Sequence, residues 1–95
     1  MMSPKEQYRA GMENQLVEMK ISMLELEEFG RQRDSVTQSI YRDEMAKLRQ
    51  QCESVSAKLL ELKTATEQSW NVLMQEIETI FAALQKAFRY LKNQI

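Results

Sequence analysis

The side chains of this sequence that could do chemistry are mainly carboxylates, because the chain has no histidine and one cysteine. The acids that come closest to forming a set are Glu13, Glu18, Glu25, Glu28, Asp43 and Glu44. Glutamates that face one another in a helical bundle hold paired metal ions when Glu-x-x-His motifs complete the ligand set. Since histidine is absent and most of these acids lie off the apolar seams, we interpret them as solvated and expect no metal site.

Cys52 is the one cysteine, and it lies between Leu48 and Val55 in an apolar seam. A buried thiol is inert unless an electropositive neighbour lowers its pKa, so we expect a small core residue. The sequence also has no zinc spacing, glycine-rich phosphate loop or nucleophile motif. We therefore expect no enzyme, no cofactor and no small-molecule substrate.

Composition indicates the elements that carry these residues. Two glycines and one proline in 95 residues leave little material for turns, while 43% apolar and 28% charged residues are typical of a folded chain. We expect one all-α domain over residues 1–95, built from long amphipathic helices that form a coiled-coil hairpin or bundle. The alternative is one near-continuous long helix in an oligomeric coiled coil.

The first helix is predicted over about residues 4–29. Ser3 can cap it, Pro4 suits its first position, and Glu6 completes a capping box. Apolar residues then recur at spacings of three and four along one seam: Tyr8, Met12, Leu16, Met19, Met23 and Leu26. That period is typical of a helix with one buried face.

Residues 30–39 are the least helical stretch, and Asp34 or Ser35 could cap a new helix. A second seam, Met45, Leu48, Cys52, Val55, Leu59 and Leu62, then runs one residue out of phase with the first. Both a turn and a continuous helix with a weak middle accommodate this shift. In either case we predict a long helix over about residues 40–93. In a hairpin, Cys52 faces roughly residues 16–26 of the first helix.

The C-terminal part of the chain carries the widest apolar stripe. Leu62, Leu73, Leu84 and Ile95 are spaced by eleven residues, as are Trp70 and Phe81, and eleven residues make about three helical turns. A first helix of about 25 residues would cover only half of a second helix of nearly 60. We therefore expect an oligomer in which further copies cover this stripe.

The predicted function is that of a structural or protein-interaction module that self-associates through the C-terminal stripe or binds a partner helix. The residues of this predicted surface are Leu62, Trp70, Leu73, Ile77, Ile80, Phe81, Leu84, Phe88, Leu91 and Ile95. The alternative function is reversible binding to a lipid surface through residues 70–95, because amphipathic helices with a basic end also lie on membranes.

The charge pattern does not by itself decide between these two functions. The formal net charge is −1, so we expect no nucleic-acid partner. Residues 13–28 carry five glutamates and one lysine, whereas residues 85–95 carry three bases and no acid. The basic end suits the helix dipole and a partner equally well. One cysteine, no signal-like start and no apolar run of membrane length favour the cytoplasm.

Residues 58–91, KLLELKTATEQSWNVLMQEIETIFAALQKAFRYL, resemble an uncharacterised family of short bacterial coiled-coil proteins. The resemblance is carried by Lys58, Leu59, Glu61, Leu62, Lys63, Ala65, Thr66, Trp70, Leu73, Ile77, Phe81, Leu84, Ala87 and Phe88. It covers about a third of the chain and implies a free-standing small helical protein of bacterial origin, with no activity or cofactor to transfer. This chain has more methionine and aromatic residues than that family.

Overall fold

A computed structural model describes residues 3–93 of the chain, and all of its regular structure in that range is helical. Helix α1 spans Pro4–Gly30, α2 spans Ser35–Glu61 and α3 spans Glu67–Asn93. A short 3-10 helix, Leu62–Thr64, lies between α2 and α3. The all-α prediction is confirmed, and the continuous single-helix alternative is not what the chain adopts.

Helix α1 begins where the sequence predicts. The Ser3 hydroxyl accepts a hydrogen bond from the Glu6 backbone N–H at 3.2 Å, and Pro4 occupies the first helical position. Both features satisfy or avoid backbone donors that a helix start leaves without partners. The predicted end near residue 29 agrees with the observed end at Gly30.

The first turn is shorter than predicted, because local hydrogen bonds start α2 at Ser35 rather than near residue 40. The Asp34 carboxylate accepts the Thr37 backbone N–H at 2.8 Å, and this hydrogen bond lowers the pKa of Asp34. The side-chain amide of Gln38 donates to the backbone carbonyls of Arg31 and Arg33 at 2.8 and 2.6 Å. Cap and carbonyl contacts therefore close the turn within a few residues.

The predicted long helix over residues 40–93 is wrong, because the chain turns a second time after Glu61. The backbone of Ala65 is extended (φ −73°, ψ 143°), and α3 starts at Glu67. The Thr66 hydroxyl accepts the Ser69 backbone N–H at 3.2 Å, which caps the new helix. The eleven-residue pattern that begins at Leu62 crosses this break, so Leu62 does not share a helix face with Leu73.

Helix α2 is the centre of the bundle, and α1 and α3 both run antiparallel to it. Its contacts with each neighbour are far more extensive than those between α1 and α3. Helices α1 and α3 make few contacts with each other, among which the rings of Tyr8 and Trp70 pack edge to face at 6.0 Å. The Tyr8 hydroxyl donates to Glu78 at 3.2 Å, and burial, followed by the charge of Glu78, raises the pKa of Tyr8 to about 12.

Apolar seams of all three helices form one continuous core. Its buried members are Met12, Leu16, Met23, Leu26, Tyr41, Met45, Leu48, Cys52, Val55, Leu59, Leu62, Trp70, Ile77, Phe81, Leu84 and Leu91. The Cys52 Sγ lies 3.6 Å from the Met23 Sδ, which confirms that Cys52 faces residues 16–26 of α1. Burial raises the pKa of the Cys52 thiol, so the thiol stays protonated.

The end of α1 depends on a glycine for close packing. A Cβ atom at Gly30 would lie 3.0 Å from Cγ and 3.1 Å from Cδ1 of Tyr41, whereas a Cβ at Gly11 would meet nothing within 4 Å. Neither glycine has a positive φ. The two positions therefore differ in the space available to a side chain and not in the sign of φ.

We expect Gly11→Ala to stabilise the protein by about 0.5–1 kcal/mol, because alanine costs less backbone entropy inside a helix. Gly30→Ala, the matched variant, should instead lower the melting temperature, since the Tyr41 ring must move to admit the methyl group. Thermal unfolding followed by circular dichroism measures both. Equal stabilisation by the two variants would contradict the packing of α1 on Tyr41.

Candidate interaction surface

The predicted interaction surface lies mostly inside the chain's own core. Leu62, Trp70, Ile77, Phe81, Leu84 and Leu91 are buried, and Leu73, Ile80 and Phe88 are partly buried against the same core. The last residue of the predicted surface, Ile95, lies outside the described residues.

Helix α2 covers this stripe along most of its length, and α1 closes its first turn through Tyr8. The ammonium of Lys5 also sits 5.3 Å from the centre of the Trp70 ring, leaving only 8% of Trp70 exposed. The expectation that no helix of the same chain could cover the C-terminal stripe is therefore wrong. The cause is the second turn, which folds α3 back onto α2 and removes the need for another copy at this face.

If the stripe is core, Phe81→Ala should destabilise the folded chain by about 3–5 kcal/mol, because it leaves a cavity between α2 and α3. Val72→Ala is the matched control on the same helix, since Val72 is exposed, and it should change stability by less than about 0.5 kcal/mol. Urea unfolding gives both values. Unchanged stability of Phe81→Ala, with a change only in association, would contradict this placement.

Large apolar side chains remain exposed elsewhere on the described residues. They are Val17, Ile21, Leu24, Phe29, Val36, Ile40, Leu60, Val72 and Tyr90. Val17, Ile21 and Leu24 follow one another at spacings of four and three, so they form a second stripe on α1, turned away from the buried Leu16 and Met23.

The exposed stripe borders a groove between α1 and α2, to which α3 contributes no lining residue. We call this the α1/α2 groove, and its lining residues fall into three adjoining segments. These are Glu27, Gly30, Arg31, Gln38, Tyr41, Arg42 and Met45; then Lys20, Met23, Leu24, Glu27, Met45, Arg49, Cys52 and Glu53; then Glu13, Leu16, Val17, Lys20, Glu53, Ser56, Ala57, Leu59, Leu60 and Lys63. Successive segments share two residues each, so the groove is continuous.

The floor and the walls of the α1/α2 groove differ in character. Core side chains such as Leu16 and Cys52 form the floor, while Val17, Leu24 and Leu60, with exposed fractions of 53, 64 and 62%, project from the walls. The second and third segments hold about 310 and 520 Å³ of space. A long apolar groove with charged edges is the shape that accepts an amphipathic helix.

Three of the six carboxylates that the sequence suggested for chemistry lie in ion pairs at the surface. Glu13 pairs with Arg9 at 3.3 Å, Glu28 with Arg31 at 2.8 Å, and Glu44 with Lys47 at 3.2 Å. Each partner is three or four residues away along the chain. Within residues 3–93, no three or more histidine, cysteine or acidic side chains come together as a metal site would require.

The fold defines a small all-α three-helix bundle with a long open groove between α1 and α2. None of the helices within residues 3–93 combines the length and apolar character needed to cross a membrane. No family model matches the chain, and no curated protein or solved structure is significantly similar to it. The resemblance to short bacterial coiled-coil proteins stays a prediction.

The sequence does indicate the apolar wall of the α1/α2 groove, although by a weaker pattern than the C-terminal stripe. Val17, Ile21 and Leu24 repeat at helical spacing on α1, although Leu16, Met19 and Met23 already provide its core face. A helix with two apolar faces has one more than a single neighbour can cover. The second face is therefore the one to examine for an external partner.

Proposed function

We propose that this protein is a non-catalytic protein-interaction module that receives an amphipathic helix in its α1/α2 groove. The observation that carries the proposal is that Val17 and Leu24 of α1 and Leu60 of α2 are exposed on the two walls of the groove, above a floor of core side chains. Exposed apolar residues scattered singly need no explanation, but several that border one groove mark a site of association.

The charges along the groove support a protein partner. Basic and acidic groups, among them Lys20, Arg49, Glu27 and Glu53, alternate on both walls, with no single sign dominating. Such mixed edges match the polar flanks of an amphipathic helix, whereas an anionic lipid surface or a nucleic acid requires a predominance of basic groups.

Lipid binding through α3 is the less supported function. The apolar face that would enter a lipid surface, including Trp70, Ile77 and Phe81, is buried against α2. That face must leave the core before it can reach lipid, which costs the burial energy of the α2/α3 interface. The three bases near the end of α3 suit the helix dipole equally well, so they do not favour this exchange over the folded bundle.

A library of displayed amphipathic helical peptides tests the interaction function directly. With the protein immobilised at nanomolar concentration, we expect selected peptides that share apolar residues at i, i+3 or i+4 and i+7. Chemical-shift changes in the amide spectrum of the labelled protein should map to residues along the α1/α2 groove. Titration of each peptide then gives its affinity.

Two substitutions to glutamate distinguish binding in the groove from nonspecific binding to exposed apolar residues. Leu24→Glu places a charge on the groove wall and should abolish binding, while Val36→Glu places it at an equally exposed apolar residue outside the groove and should leave binding intact. Circular dichroism verifies that both variants stay folded. The proposal fails if no peptide is recovered, or if peptides bind Leu24→Glu as tightly as the native protein.

A further inference from the structure

Resting on the proposed function, we infer that the partner that covers the α1/α2 groove is a second copy of this chain, whose α1 packs beside the groove on its α2 wall. The two copies are related by a two-fold axis that runs along the groove. In this arrangement α1 of each copy lies over α2 of the other, so one surface serves both copies and the contact closes as a dimer.

The charges that edge the groove carry this inference. On α1, Glu13, Lys20 and Glu27 are spaced by seven residues and alternate in sign along one face. On the opposite wall the sequence of signs is reversed. Lys63 lines the same segment as Glu13, Glu53 lines both segments that contain Lys20, and Arg49 forms an ion pair with Glu27.

Each of these three levels therefore has one positive and one negative group on opposite walls, whereas Arg31 and Arg42 lie on opposite walls at the end of the groove. Rotation about an axis along the groove exchanges the walls and keeps the levels. It places Lys20 of one copy opposite Glu53 of the other, Glu13 opposite Lys63, and Glu27 opposite Arg49. All of these contacts are attractive, and every one occurs twice in the dimer.

An axis that crosses the groove at the level of Lys20 gives a less favourable contact. It would lay α1 antiparallel on α1, so that Lys20 would face Lys20 and Glu13 would face Glu27. Like charges in direct opposition disfavour an interface, so the charge pattern favours the axis along the groove over this placement.

Three of these groups have no intrachain ion pair to give up. Lys20, Glu53 and Lys63 make no ion pair with any other residue of the segment 3–93, although Lys20 and Glu53 line the same two segments of the groove. The same rotation also brings Val17 of one copy over Leu60 of the other, because the two line the same segment. Apolar contacts and charge pairs thus favour one geometry.

The available area fits a weak dimer. Residues 13–31 of α1 extend about 27 Å, and two helices side by side are about 20 Å wide, so two copies bury on the order of 1,000 Å². This value is near the lower limit for a specific interface. We expect sedimentation equilibrium to detect a monomer–dimer equilibrium at about 10–500 µM protein.

Charge reversal in separate copies provides the decisive test. Lys20→Glu alone gives two Glu–Glu contacts per dimer and Glu53→Lys alone gives two Lys–Lys contacts, so each variant should dimerise about tenfold more weakly than the native chain. An equimolar mixture should recover dimerisation, because the heterodimer has two Glu–Lys contacts. Lys47→Glu, on a face of α2 outside the groove, is the control and should dimerise normally.

Three outcomes separate the inference from the function on which it rests. Recovery in the mixture, and not in either variant alone, supports the two-fold dimer. A dimer that is indifferent to both substitutions overturns this geometry. A chain that is monomeric at 1 mM, on the order of the highest concentration an interface of this size requires, overturns the second copy as partner. If that monomer still binds groove-directed peptides, the interaction function stands; if it binds none, both proposals fail.

Discussion

The packing of α3 on α2 is the interaction on which the rest of this structure depends. Helix α2 has one apolar seam, and both neighbours use it, so that Val55 is completely buried between them. Ion pairs at the edges hold the two interfaces in register: Arg49 with Glu27 of α1, and Lys58 with Glu76 of α3. The hydrogen bond to Glu76 raises the pKa of Lys58, which is the direction expected for a favourable pair.

This arrangement also explains where the surface stays open. Because α1 and α3 both pack on the seam of α2, each covers the core from its own side, and they make few contacts with each other, such as that of Tyr8 with Trp70. The far side of α1 receives no neighbour. Its second apolar stripe, together with Leu60 of α2, therefore remains in contact with solvent. The packing of α3 on α2 within the chain thus determines which apolar face is left for an external partner.

The parts of the fold that sequence could predict are those decided locally or by a regular period. The start of α1 follows from Ser3 and Pro4, and the cap at Asp34 follows from its side chain. Regular three-four spacing identified the seams of α1 and α2, and their antiparallel contact placed Cys52 opposite Met23. These features require no knowledge of α3.

The second turn and the interaction surface could not be predicted in the same way. No glycine or proline follows Gly30, and the eleven-residue spacing runs through residues 62–66 as if the helix continued. The remaining signal is weak: a seam continued from Leu62 meets Thr66, Ser69 and Glu76 at apolar positions. Nor does an apolar stripe specify what covers it. The strongest stripe became core, and a weaker one on α1 stayed exposed, because tertiary packing decides between them.

The distance between the ends of α1 and α3 tests this account most directly. Spin labels at Glu28 and Arg89, in a Cys52→Ala background diluted with unlabelled protein, report it by pulsed electron resonance. Phe29 and Phe88 line one surface groove between α1 and α3, so we expect a distribution centred near about 20 Å. An unbroken helix through residues 62–66 would carry Arg89 about 60 Å beyond the level of Glu28 at ~1.5 Å per residue, and such a distance would contradict the bundle.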